Sequence, residues 1–175
     1  MIYLLRQQEM PDLAYDVIEV SQRVYPECRM IDRLGALCCL EREDWNRAER
    51  HLKRYWEVNP WDAFIMLAYA RVALKKNDYA LAAQLYGDCV EHGGLGYGDM
   101  LDYGMALFLT RRCEAALSVF QRLESSNYSR STIFNNIGMA LAALGRWQEA
   151  VQYCRRALES DSSYRFAWDS LGFAH

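Results

Sequence analysis

Between residues 131 and 164 the apolar and small side chains fall in two clusters separated by a gap: Phe134, Ile137, Gly138 and Leu141, then Trp147, Ala150, Cys154 and Ala157. Steps of three and four residues place each cluster on one face of an α-helix, so the segment predicts two amphipathic helices. Gly145 marks the break, because glycine adopts the backbone angles that end a helix without steric cost. The pattern repeats. Alanine recurs at 14, 48, 82, 116 and 150, always 34 residues apart. Ala36, Ala70, Gly104, Gly138 and Gly172 keep the same interval, as do Ile18, Leu52, Tyr86, Phe120 and Cys154. An aromatic slot holds Trp45, Tyr79 and Trp147, with Cys113 in the third place, and Pro26 and Pro60 are also 34 apart. A fixed period of about 20 to 50 residues marks a stack of units, none of which buries its apolar face alone.

Windows opening at 29, 63, 97, 131 and 165 align these positions with no insertion or deletion. The chain therefore reads as a single array: a partial repeat over 1–28, repeats at 29–62, 63–96, 97–130 and 131–164, and a partial repeat over 165–175. The small residues have a mechanical purpose. A side chain larger than methyl at Gly138 or Ala150 would hold the two helix axes too far apart. Phe134 and Trp147 are then expected to fill the space between successive pairs, each contributing about 1.5 to 3 kcal/mol on full burial.

Phe134, Ile137, Gly138, Leu141, Ala150 and Cys154 resemble the tetratricopeptide repeat, whose pattern runs W-x2-L-G-x2-Y, then A-x3-F and P. Trp168, Leu171 and Gly172 open another copy. The resemblance implies an all-α fold, a right-handed superhelix of antiparallel helix pairs. It is strong in the windows from 63, 97 and 131 and weaker in the window from 29. There Asp32 and Gly35 stand where large apolar residues belong, and Leu34 and Leu37 suggest a slightly rotated first helix. Gly94, Tyr128 and Ser162 replace proline at the final slot, which affects turn geometry and not fold. Pentatricopeptide arrays share the helix-pair design but read RNA, and the charge of this chain argues against them.

In the family, first helices line a concave groove. Carried over window by window, the resemblance places Phe64, Leu67, Arg71, Leu74 and Lys75 on its inner wall, followed by Leu101, Met105, Phe108, Asn135 and Met139. Arg33, Leu37, Leu40, Leu109, Thr132, Ala142, Ala143, Phe166, Asp169 and Phe173 extend the stripe. The middle of this wall is apolar, and methionine adapts to varied apolar partners. Arg71 and Lys75 would orient a peptide through its acidic groups. Some members, Leu101 and Phe108 above all, read equally as core between helix pairs. Chaperone-tail receptors of the family clamp a terminal carboxylate with two lysines, an arginine and two asparagines. Asn136 matches one of these positions, but Leu101, Met105, Phe166 and Ser170 occupy flanking ones, so that role is disfavoured.

Composition narrows the reading further. The 175 residues are 52% hydrophobic, enough for a continuous core and too apolar for disorder. With 20 basic and 23 acidic residues, no broad positive field exists to hold nucleic acid. The densest basic stretch, Arg42, Arg47, Arg50, Lys53 and Arg54, is interleaved with Glu41, Glu43, Asp44 and Glu49 and reads as a solvated helix face. No stretch approaches the roughly 18 apolar residues of a membrane span, and the start lacks a secretory signal, which predicts a cytoplasmic protein. Six cysteines without CxxC spacing suggest neither a zinc site nor a disulfide framework, and Cys38 and Cys39 read as thiols packed along one helix.

The stretch Gly93, Gly94, Leu95, Gly96, Tyr97, Gly98 lacks the Lys-Ser or Lys-Thr of a phosphate loop and reads as a flexible turn between repeats. His51, His92 and His175 lie on different repeats and pair with no nucleophile, so neither catalytic residues nor a cofactor are expected. The expected function is a non-catalytic scaffold that binds an apolar or amphipathic segment of a partner protein. A secretion or pilus-assembly chaperone, or the targeting segment of a larger enzyme, is the alternative. Phe166, Trp168, Leu171 and Phe173 near the end lead us to expect that a continuing chain or a second copy covers them.

Overall fold

The computed structural model describes residues 11–125 and 130–166, and every regular element among them is an α-helix. In order these are α1 (Pro11–Val24), α2 (Arg29–Glu41), α3 (Trp45–Trp56), α4 (Ala63–Lys75), α5 (Tyr79–His92), α6 (Tyr97–Leu109), α7 (Cys113–Leu123), α8 (Arg130–Ala143) and α9 (Trp147–Ser160). The expectations for Tyr128, Trp168, Asp169, Ser170, Leu171, Gly172, Phe173 and His175, and for the first ten residues, lie outside the described residues. Two compact units divide the chain, Met1–Gly94 and Leu95–His175, and the boundary falls inside the glycine-rich stretch. In unit 1, α2 packs on α3 and α4 on α5, with α1 against α2 and α3 against α4. In unit 2, α6 packs on α7 and α8 on α9, with α7 against α8.

One turn serves all four pairs. Glu43, Asn77, Arg111 and Gly145, spaced by the repeat period, hold left-handed φ values of 55°, 62°, 64° and 76°. The next amide in each case donates back over the helix end, from Asp44 to Cys39, Asp78 to Ala73, Arg112 to Leu107 and Arg146 to Leu141, each at 2.9 Å. These bonds satisfy carbonyls that the helix leaves without partners. Glycine is therefore not what makes the break. Three non-glycine residues accept a conformation that costs about 1–2 kcal/mol each, because the flanking helices must turn there to pack.

Small residues sit where close approach demands them. A Cβ on Gly138 would lie 2.8 Å from Cys154 Sγ and 3.3 Å from the Ala150 carbonyl oxygen. A Cβ on Gly104 would run into the Phe120 ring. In unit 1 the same slot carries methyls, Ala36 and Ala70, both fully buried. Phe134 is buried, but against its own pair, beneath the Tyr153 ring at 6.1 Å and the Arg156 guanidinium at 4.1 Å on α9. Trp147 does not fill a space between pairs either, for it remains 45% exposed.

The irregular first window has a physical resolution. Asp32 and Gly35 stay on the buried face of α2, while Leu34 and Leu37 are half-buried, so the helix keeps the register of its successors. Gly35 makes room for an imidazole: its Cβ would lie 2.7 Å from the His51 ring. Asp32, 1% exposed, then accepts from Gln22 Nε2 at 2.6 Å and lies 3.3 Å from His51 Nδ1. Arg29 at 3.5 Å and Arg54 at 3.5 Å complete its surroundings. An aspartate replaces a large apolar residue because three helices supply it with donors.

Candidate functional site

Unit 2 contains a cavity of about 490 Å³. Phe108 at the end of α6 and Arg111 in the following turn form one side. Asn135, Gly138, Met139, Ala142 and Ala143 of α8 form another, and Trp147, Ala150 and Cys154 of α9 with Phe166 complete the described wall. Gly138 and Ala150, which let α8 and α9 approach, leave this space together with Ala142 and Ala143, since all four project a methyl or nothing. Helical spacing does the rest: Asn135, Met139 and Ala142 lie on one face of α8 at steps of four and three.

Polar groups in this wall are few. Asn135 is 3% exposed, and its Nδ2 donates to Met139 Sδ at 3.4 Å. Its Oδ1 is buried without a hydrogen-bond partner among the described residues. Such an acceptor costs about 1–3 kcal/mol while unsatisfied. Arg111 is exposed in its left-handed turn. It also lines an adjoining cavity of about 520 Å³ with Arg112, Cys113, Glu114, Ala143 and Leu144. The nearby Arg146 is neutralised by Glu149 through two contacts of 2.7 Å. Burial pushes the Cys154 thiol above its ordinary pKa, so it presents a neutral, apolar surface.

Of the expected groove residues, Phe108, Asn135, Met139, Ala142, Ala143 and Phe166 thus come together around one cavity. Leu101 and Met105 lie half-buried on α6, outside its wall. In unit 1, Phe64, Leu67, Arg71, Leu74 and Lys75 share one face of α4, with the leucines half-buried and the other three exposed. The Arg33 guanidinium lies 5.5 Å from the centre of the Phe64 ring and 3.4 Å from Asp62. Burial works to raise the Asp62 pKa. It is outweighed by hydrogen bonds from the Ile65 amide, the Tyr55 hydroxyl and Arg33, which hold the carboxylate below its usual range. Residue spacing did not reveal Gly138, Trp147, Ala150, Cys154 or Arg111 as wall residues, because the first four were already explained by helix packing and the last by the turn.

The Asp32 and His51 pair combines a carboxylate with an imidazole but is sealed, His51 being 3% exposed. Burial lowers the His51 pKa against the opposing pull of Asp32, so the ring is held neutral. No group of three or more His, Cys, Asp or Glu side chains suited to a metal ion occurs among the described residues. No helix among them is long and apolar enough to cross a membrane.

Comparison with known proteins agrees with this architecture. A family model described as Tetratricopeptide repeat matches residues 39–88 and 101–165. The chain belongs to the tetratricopeptide repeat family. Among solved structures it is similar to YrrB, "a TPR protein with an unusual peptide-binding site", with a TM-score of 0.84 at 15% identity over 97% of this chain and 87% of that one. It is also similar to MamA AMB-1, with a TM-score of 0.78 at 16% identity over 91% of this chain and 87% of the other. MamA 41-end from Desulfovibrio magneticus RS-1 has a TM-score of 0.72 at 16% identity, over 85% of this chain and 84% of that one. No curated protein matches the sequence. At these identities the tetratricopeptide likeness concerns fold alone.

Proposed function

We propose that this tetratricopeptide repeat chain is a non-catalytic scaffold that holds an apolar or amphipathic segment of a partner protein. The unit 2 cavity is the seat of one large apolar side chain. The observation that carries this reading is an apolar space of about 490 Å³ rimmed by exposed Trp147 and Phe166. An empty apolar cavity forfeits the dispersion contacts of its walls, and soluble proteins rarely keep such a patch without use. The α4 face of unit 1, with Phe64, Leu67, Arg71, Leu74 and Lys75, is a second contact surface. Leu101 and Met105 provide apolar area on α6. YrrB is described as having a peptide-binding site, which supports the same class of ligand here. The free thiols on all six cysteines suit a cytoplasmic protein.

Met139→Glu places a charge in the cavity wall without enlarging the packed core. Affinity capture from the native cell should recover partner proteins with the unaltered chain and lose them with this variant, while helical circular dichroism and melting stay close to the original. Equal recovery by both chains would refute the cavity as the seat. Met105→Glu, outside the wall, should weaken capture less.

A further inference from the structure

Two unmet requirements in the unit 2 wall define the chemistry of what binds there. We infer that the cavity takes a peptide segment in which a bulky apolar residue is flanked, within one or two positions, by an aspartate or glutamate. The inference rests on the peptide-holding reading above and adds to it the sign and placement of the partner's polar groups.

The first requirement is a donor. Asn135 Oδ1 is buried and unpartnered among the described residues, in a wall that is otherwise almost wholly apolar. It is already closed off by the chain, so an occupant satisfies it only when the Asn135 amide turns toward the cavity; a peptide, unlike a purely apolar occupant, then brings a backbone N–H beside it. A fatty acid or other simple carboxylate, with no N–H, does not meet this need. The second requirement is an anion. Arg111 lines both cavities, Arg112 lines the second, and neither is ion-paired among the described residues. The carboxylate at hand is Glu114, one against two guanidinium groups. A partner seated over Arg111 removes water from it, and a desolvated guanidinium needs a carboxylate in return. Unlike Arg111, the cations Arg146 and Arg156 already hold Glu149 and Glu124 at 2.7 Å and 2.8 Å. Arg111 is therefore, among the described residues lining this cavity, the cation available to a partner.

The turn itself provides a clean variant. Glu43 occupies the equivalent left-handed position in unit 1, so Arg111→Glu reverses the charge at a site whose backbone already accepts glutamate elsewhere in this chain. The full chain is panned against phage-displayed random peptides of about a dozen residues, and the selected peptides, labelled with fluorescein, are measured by anisotropy. The expected selection is an aromatic or large aliphatic residue beside Asp or Glu. Arg111→Glu should weaken these peptides about tenfold and, panned anew, select Lys or Arg at the flanking position. Asn135→Leu should weaken them several-fold without altering the acidic preference. Peptides that lose binding to Met139→Glu but show no acidic preference, or keep their affinity for Arg111→Glu, would overturn this inference and leave the scaffold reading standing. Failure to select any peptide with the folded chain would overturn both.

Discussion

Units 1 and 2 share one period and one turn, yet they treat their polar groups in opposite ways. In unit 1, Asp44, Asp62 and Asp78 each accept the backbone amide three residues on, at 3.1, 3.2 and 3.1 Å, and so close the starts of α3, α4 and α5. Its buried Asp32 is surrounded by Gln22, Arg29, His51 and Arg54. Surface charges pair across repeats in both units, Lys76 with Glu49 here and Arg156 with Glu124 in unit 2, so the contrast lies in the helix starts and the interior. In unit 2 the corresponding helix starts, Gly96, Arg112 and Arg146, have no side-chain cap. There the buried Asn135 keeps an idle acceptor, and a cavity stands where side chains could have filled the space. Unit 1 is not perfect, since Trp56 Nε1 lacks a partner among the described residues. The contrast still teaches that the repeat fold does not need its polar groups satisfied from within. Where they are left open beside apolar space, the surface is suited to binding.

The largest test of this contrast is the buried cluster of unit 1. Asp32→Ala should destabilise the chain by about 3 kcal/mol or more, because His51, Gln22 and two arginines lose their shared acceptor. The double variant Asp32→Leu/His51→Leu should recover much of that in urea unfolding, since an apolar replacement removes donor and acceptor together. If the double variant were as unstable as the single, the cluster would owe its stability to shape and not to its hydrogen bonds. Next comes the tight approach in unit 2. Gly104→Ala should cost about 1–3 kcal/mol, as the new methyl meets the Phe120 ring, and Phe120→Leu should relieve part of the loss. Unit 1 holds Ala70 in this slot at no such cost, so thermal melting measures how far the two interiors differ.

Smaller effects lie at the helix starts. Asp78→Ala should lower stability by about 1 kcal/mol, whereas Arg112→Asp, at the equivalent uncapped position, should raise it by a similar amount. Equal effects of either sign would erase the distinction between the units. The smallest change is with pH. His51 is held neutral in the folded chain, with its pKa below the ordinary histidine value of about 6.5, so the unfolded chain takes up a proton first as pH falls. Stability should therefore decline as pH drops through about 6.5 toward the lower folded value, and His51→Gln should flatten that slope. Asp62 acts only in more acid solution. Its depressed pKa contributes stability that is present above its unfolded value and lost as pH falls through the folded one.

The helices and the slots reserved for small residues were legible in the sequence, because spacing of three, four and 34 residues follows from backbone geometry that neighbours share; of the four left-handed turns, only the one at Gly145 was. The family resemblance, and not spacing, set Asn135, Met139 and Phe108 on one expected groove wall, and in the structure all three line the unit 2 cavity. What spacing left open is how non-adjacent side chains divide the space that the period creates. Phe120 fills the hollow over Gly104, whereas the space beside Gly138 remains partly empty although Cys154 also approaches it. Asp32 reads as a misfit along the chain and becomes a buried acceptor once Gln22 and His51 arrive from other helices. Arg111 reads as a turn residue and proves to be a cation at the cavity rim. A periodic pattern specifies which face each residue occupies, but voids and hydrogen-bond partners depend on which side chains from separate helices meet, and only packing in three dimensions settles that.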